Sequence, residues 1–230
     1  VDVNDISAFL TCDIPDGMVE TFADLVFSPD ASDSTRLVEQ LLDDGVSAET
    51  VMLELLAPAA RLMGEMWSCD QANFLEVTLG LSRLQHLMRQ LHLPVMHAVA
   101  DRGAALLLPV PGEQHVLGLR MVEEFLLRDG WRVRYLAQAS SEQLRQAVSS
   151  EHYEFVGFSL SGERLLPALR SAIREVRAQS RNRHVRIMAG GAVLSAGEPP
   201  VPALDADALV RDARDAVQQA RRWHALAGVT

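Results

Sequence analysis

Ala104-Ala105-Leu106-Leu107-Leu108-Pro109-Val110 runs straight into Pro111-Gly112-Glu113-Gln114-His115-Val116-Leu117-Gly118. An apolar run of that length, ended by Pro-Gly, reads as a buried strand and its turn. The helical spacing that opens at Leu119 reads as the following helix. The loop between them carries the chemistry. An acid two residues before a histidine is placed to hold one ring nitrogen while the other faces a metal, as in carboxylate–histidine–metal relays. Gly118, three residues after the histidine, omits a side chain where something bulky must approach backbone. Taken alone, the octapeptide reads equally well as a polar loop with an incidental histidine. The rest of the chain decides.

Working outward, strand-like and helical stretches alternate. Strands are expected over residues 104–109, 132–136, 155–160 and 185–189, with a short fifth at 208–210. Helices are expected over 116–128, 141–149, 167–179 and 212–226. Repeated β–α units with right-handed crossovers predict a doubly wound parallel sheet, flavodoxin-like at five strands. Ligand sites of such sheets lie beyond the carboxyl strand ends, at the switch point between strands one and three. Glu113 and His115 follow strand one, Ser159-Leu160-Ser161-Gly162 follows strand three, and Gly190-Gly191 follows strand four. Three polar or small turns therefore converge on one crevice. No Gly-x-Gly-x-x-Gly fingerprint accompanies strand one, which argues against a dinucleotide.

The first hundred residues have helical periodicity instead. Short amphipathic segments are expected at 17–27 and 34–44. A longer helix starts with Ser47 as N-cap and carries Val51, Leu55, Leu56, Ala59, Leu62, Met63 and Met66 as its stripe. Pro58 predicts a kink or break near residues 55–57. A fourth helix, capped by Asp70, is expected over 71–91, with Phe74, Val77, Thr78, Leu81, Leu84 and Met88 on one side. The fold class expected is thus α/β: an N-terminal four-helix bundle cap over residues 1–95, a linker at 92–102, and a five-stranded parallel sheet domain over 103–230. The two domains are expected to fold separately and to sandwich a planar ligand.

The 230 residues have a net charge of −10, and every cation is arginine, since no lysine occurs. All-arginine usage points to coding preference rather than function. The acidic balance argues against direct nucleic-acid binding through phosphate neutralisation. Cys12 and Cys69 have no metal-type spacing and are expected to be small buried side chains in a reducing compartment. No apolar run of membrane-spanning length and no basic leader is read, so a cytoplasmic protein without membrane contact is expected.

In order, the three sheet-edge motifs resemble the signature of the cobalamin-binding domain family, Asp-x-His-x-x-Gly, Ser-x-Leu and Gly-Gly. Here these are Glu113, His115 and Gly118, then Ser159 and Ser161, then Gly190 and Gly191. The resemblance implies that His115 ligates cobalt from below and that the displaced nucleotide tail runs beside Ser159, Ser161, Gly190 and Gly191. Glu113 is one methylene longer than the usual aspartate, so an indirect hold on His115 is expected. Ser161 replaces leucine and makes the slot more polar. The bundle resembles the helical cap of such proteins: Gly64-Glu65-Met66-Trp67 matches its Gly-x-x-Trp element, which implies that Trp67 leans over the corrin. Filling the bundle core is the other reading of that tryptophan. Val77-Thr78 stand where light-sensing members carry Glu-His, with Glu76 one position early.

More narrowly, residues 67–85 together with Pro-Gly-Glu-Gln-His-x-Leu-Gly are similar to the AerR/PpaA-type antirepressors of photosynthesis genes and to the related haem and cobalamin sensor module of AppA. This implies a light- or redox-responsive regulator that binds a tetrapyrrole and engages a DNA-binding repressor, with no catalysis. Hydroxocobalamin is the cofactor expected, with haem as the other candidate. A corrinoid methyl-carrier protein and a haem-binding sensor module are the competing readings. His86, His92 and His97 are candidates for an upper axial ligand, although each also reads as a surface side chain.

Overall fold

In a computed structural model of the chain, the described residues are 14–91, 102–138, 140–195 and 204–227. They form two compact units, Val1–Leu93 and Pro94–Thr230. Most of the linker expected at 92–102, with His92 and His97, lies outside the described residues, as does Cys12.

The first unit is helical: α1 (Met18–Phe27), α2 (Ser32–Asp43), α3 (Ala48–Thr50), a π-helical segment (Val51–Leu56), α4 (Ala57–Ser68) and α5 (Phe74–Gln90). Ser47 caps α3 as expected, its hydroxyl accepting from the Thr50 N–H at 3.0 Å. The α-helical ladder is interrupted close to where Pro58 predicts it, over Val51–Leu56. Pro58 sits in the first turn of α4, and the helix ahead of it is wound as a π-segment. A proline lacks the N–H that an α-helical ladder needs, and the wider i→i+5 ladder accommodates that loss.

The cap of α5 differs from expectation. Asp70 adopts φ 56° in the preceding turn. Asn73 is the N-cap, its side chain accepting from the Leu75 and Glu76 N–H groups while Glu76 reaches back to the Asn73 N–H. The buried stripe differs as well. Val77, Gly80, Leu84, Leu87 and Met88 face inward, whereas Phe74 and Thr78 are exposed. Phe22, Val26, Met52, Leu55, Leu56, Met63 and Leu84 fill the core. Arg83 ties α5 to the end of α1, donating to the Val26 carbonyl at 2.6 Å and to the Ser28 carbonyl. Cys69 is exposed rather than buried, because it follows the last turn of α4.

The second unit alternates strands and helices: β1 (Ala104–Pro109), α6 (Leu117–Arg128), β2 (Arg132–Tyr135), α7 (Ser141–Ser150), β3 (Phe155–Ser159), α8 (Leu166–Gln179), β4 (Arg186–Gly190), α9 (Ala192–Ser195), β5 (Ala208–Val210) and α10 (Ala213–Ala227). All pairings are parallel, in the order β2-β1-β3-β4-β5. This is the doubly wound order expected, with the switch point between β1 and β3. On one sheet face Leu106, Leu108, Val156, Phe158, Ile187 and Ala189 pack under α7 and α8 with Leu144, Val148, Leu169, Ile173 and Val176. The register places Pro109 opposite Ser159, Ser159 opposite Gly190, and Gly190 opposite Val210. Two expected motif positions, Ser159 and Gly190, thus stand in one row at the carboxyl edge.

Two glycines separate cheap from costly crowding. A Cβ on Gly80 would meet Met63 Cε at 2.2 Å, the free end of a flexible side chain. A Cβ on Gly191, already at φ +118°, would meet the Leu160 carbonyl oxygen at 2.0 Å. Gly80→Ala is expected to change stability by about 1 kcal/mol or less, and Gly191→Ala to cost about 3 kcal/mol or more. Urea unfolding of the two variants checks the contrast.

Candidate functional site

The loop after β1 and the turn after β3 lie side by side because their strands are neighbours in the sheet. Glu113 occupies the meeting point, its side chain 2% exposed. Oε1 accepts from the Gln114 and His115 N–H groups, each at 2.7 Å. The same oxygen stands 2.7 Å from His115 Nδ1. Oε2 accepts from the Ser161 N–H and, at 2.8 Å, from the Ser161 hydroxyl. That hydroxyl is also 3.0 Å from His115 Nδ1. Glu113 therefore holds His115 directly, contrary to the indirect hold expected from its extra methylene. The longer arm lets the carboxylate reach into the β3 turn, where Ser161 meets it.

Burial pushes the Glu113 carboxyl up, but hydrogen bonds outweigh it. The His115 N–H, the Ser161 hydroxyl, the His115 ring and the Ser161 N–H together hold it at about 2, against an ordinary 4.5. A carboxylate so held is acceptor-only, so the facing Nδ1 carries the ring proton. In the neutral ring the lone pair is then on Nε2, on a side chain 65% exposed. A neutral imidazole with a fixed tautomer and an available Nε2 is a metal ligand with its supporting carboxylate in place.

The remaining motif positions divide. Phe158 and Leu160 belong to the core beneath α7 and α8, so Ser159 between them points to the opposite face. Its Oγ is enclosed and has no hydrogen-bond partner. Ser161 is not a free slot residue, because its hydroxyl is committed to Glu113 and His115. A Cβ on Gly118 would meet nothing within 4 Å, so that position keeps space open. Gly190 and Gly191 are glycine for the protein's own reasons: a Cβ on Gly190 would lie 2.9 Å from the Val210 carbonyl oxygen, and Gly191 is closed by Leu160.

In the helical unit, Trp67 is 50% exposed and is not a core filler. Around it in sequence, Phe74, Leu75 and Leu79 are 74%, 64% and 49% exposed. The reading of the sequence missed Leu75 and Leu79. Their i, i+4 spacing outside the buried stripe is the signal that finds them. Arg164 lies exposed in the short turn before α8 and His86 on the surface of α5, while His224 packs edge-on to Trp131, beside the amino end of β2. Among the described residues no group of three or more His, Cys, Asp or Glu side chains is arranged to hold a metal. No described helix is long and apolar enough to cross a membrane.

The depressed carboxyl has a pH consequence. Because the folded value lies below the unfolded one, Glu113 contributes stability that is complete above about pH 4.5 and is lost as pH falls towards 2. Glu113→Gln is expected to cost on the order of 3 kcal/mol at neutral pH. The gap between variant and wild type should close on acidification from pH 5 to pH 2, as followed by urea unfolding at each pH.

Comparison with known proteins gives this geometry a family. A family model described as B12 binding domain matches residues 103–221, and a second of the same description matches residues 18–92. An uncharacterized 20.5 kDa protein from the bchF-crtJ intergenic region of Rhodobacter capsulatus is 26% identical over 170 residues, covering 73% of this chain and 88% of its own length. The monomethylamine corrinoid protein of Methanosarcina barkeri shares the fold with a TM-score of 0.72 at 16% identity, over 87% of this chain and 95% of that one. With a buried glutamate orienting His115 at the carboxyl edge of a parallel sheet, and family matches over both units, the chain belongs to the B12-binding domain family.

Proposed function

We propose that the chain binds a cobalamin, hydroxocobalamin in particular, through Nε2 of His115, and works as a light- or redox-responsive antirepressor of a DNA-binding repressor. The observation that carries the cofactor reading is the clamp of Glu113 and Ser161 on His115, which leaves one oriented ring nitrogen available. A bare ion would find a single ligand there, since the described residues offer no cluster of three. A metal already held in a planar macrocycle needs one axial donor, and His115 is such a donor. The residues fit the rest of the group as well. Ser159 Oγ lacks a partner that a nucleotide tail would supply, and the space at Gly118 is open. When bound, cobalamin supplies a cobalt centre whose axial ligand can change. The chain's part is to orient His115 and keep its Nδ1 protonated through Glu113.

Two observations support the regulatory half. The curated relative is encoded between bchF and crtJ, in a photosynthesis gene region. Charge is also divided unevenly: residues 1–93 contain 16 Asp and Glu against four Arg. So acidic a unit suits a basic protein surface, such as that of a DNA-binding repressor, and disfavours DNA itself. A ligand-linked change would act by giving the repressor two arrangements of different affinity. The shared fold of the monomethylamine corrinoid protein supports a second reading, a methyl-carrier role with the same lower ligand. Haem on His115 is the remaining alternative for the cofactor.

Protein loaded with hydroxocobalamin is expected to show the absorption of imidazole-ligated cobalt, and His115→Ala to lose it with affinity reduced at least tenfold. An unchanged spectrum and affinity in the variant would remove His115 as ligand, and a tighter complex with haemin would reassign the cofactor. In gel shifts with a repressor and its operator, loaded protein should release the operator differently in light and darkness. Equal occupancy in all conditions would refute the antirepressor reading, and methyl transfer to a partner methyltransferase would establish the carrier.

A further inference from the structure

Beside the Glu113 loop, a cleft of about 590 Å³ opens between the start of α6 and the carboxyl end of β2. Gln114 and Gln138 are exposed on its walls, Val116 and Leu136 are half-buried, and Arg120 and Tyr135 lie between them. The Arg120 guanidinium lies over the Tyr135 ring, 3.5 Å from its centroid. It also donates to Glu123 at 2.7 Å. Held on two sides, the guanidinium is preorganised, yet 40% of the Arg120 side chain remains exposed. The Tyr135 hydroxyl is enclosed and has no hydrogen-bond partner. Burial raises its pKa, so it keeps its proton at neutral pH. The Glu113 oxygens are turned to the His115 side and already satisfied.

The polar groups presented to the cleft are therefore amides and a guanidinium whose charge Glu123 balances. A free carboxylate placed here would meet no net positive charge, and a cation would meet no free anion. A primary amide finds both donors and acceptors. We propose that this cleft receives carboxamide arms from the rim of the macrocycle held by His115, and that the Arg120–Glu123 pair makes it prefer a carboxamide to a carboxylate arm. The inference rests on the cofactor reading above. It adds a basis in this chain for choosing an amide-rimmed corrin over a porphyrin with carboxylate arms.

The test is a binding titration of hydroxocobalamin and of its three monocarboxylic acids, in each of which one propionamide is hydrolysed. Wild type is expected to bind at least one acid about tenfold more weakly than the parent, the effect of one lost or mispaired hydrogen bond. Glu123→Gln leaves the guanidinium unbalanced, and should narrow or reverse that preference for the same isomer. Arg120→Gln should weaken hydroxocobalamin about fivefold while the imidazole-ligated spectrum persists. Equal affinity of wild type for all four corrinoids would overturn the proposal. Wild-type affinities and preferences in both variants would overturn it too. In either case the His115-dependent spectrum would remain, so the cofactor reading would survive. Failure of wild type to bind any of the four would bring down both.

Discussion

The buried carboxylate of Glu113 is the constraint on which the site depends. It joins two chain segments nearly fifty residues apart, because its two oxygens face two different loops. Those loops are adjacent only because β1 and β3 are neighbours in the order β2-β1-β3-β4-β5. A carboxylate removed from water is stable only if its lone pairs are used, and here backbone N–H groups, a hydroxyl and an imidazole use them. The same contacts that keep the acid ionised fix which nitrogen of His115 bears the proton. Fold stability and ligand chemistry thus draw on one set of hydrogen bonds.

Much of this was legible before any coordinates. Apolar runs at two-residue alternation or in unbroken blocks placed all five strands within a residue or two, and the order of turns pointed to the carboxyl edge. What escaped was side-chain reach. An extra methylene in Glu113 looked like a weakened hold, when it is the length that lets the acid bridge to Ser161. Ser161 looked like a wall of a slot, since nothing in its neighbourhood of sequence announces a partner on another strand. On α5 the N-cap is Asn73 rather than Asp70, and Phe74, read from the sequence on the same side as Val77 and Leu84, is the most exposed large apolar side chain described in the unit. Capping is decided by a single side chain, so periodicity alone misplaces where the helix starts.

The glycine pair after β4 shows how a family motif can answer two needs. Gly190 lies against the Val210 backbone and Gly191 against Leu160, so both are required by the packing of this chain. Gly118, with open space where a Cβ would stand, is the glycine whose absent side chain the protein itself does not need. Ser159, in the row with Gly190, is the complementary case, a polar atom enclosed at the sheet edge with no hydrogen-bond partner from the protein.

The π-segment ahead of Pro58 has a geometric consequence for the helical unit. In register it amounts to a residue inserted into an α-helix, and each residue turns such a helix by about 100°. Trp67 is carried on the same run of helix downstream of it. A one-residue deletion within Val51–Leu56 would return the ladder to α spacing and swing the tryptophan by about a quarter turn around the helix axis. The direction in which that indole faces is therefore encoded in part a dozen residues upstream, in the phase of the helix.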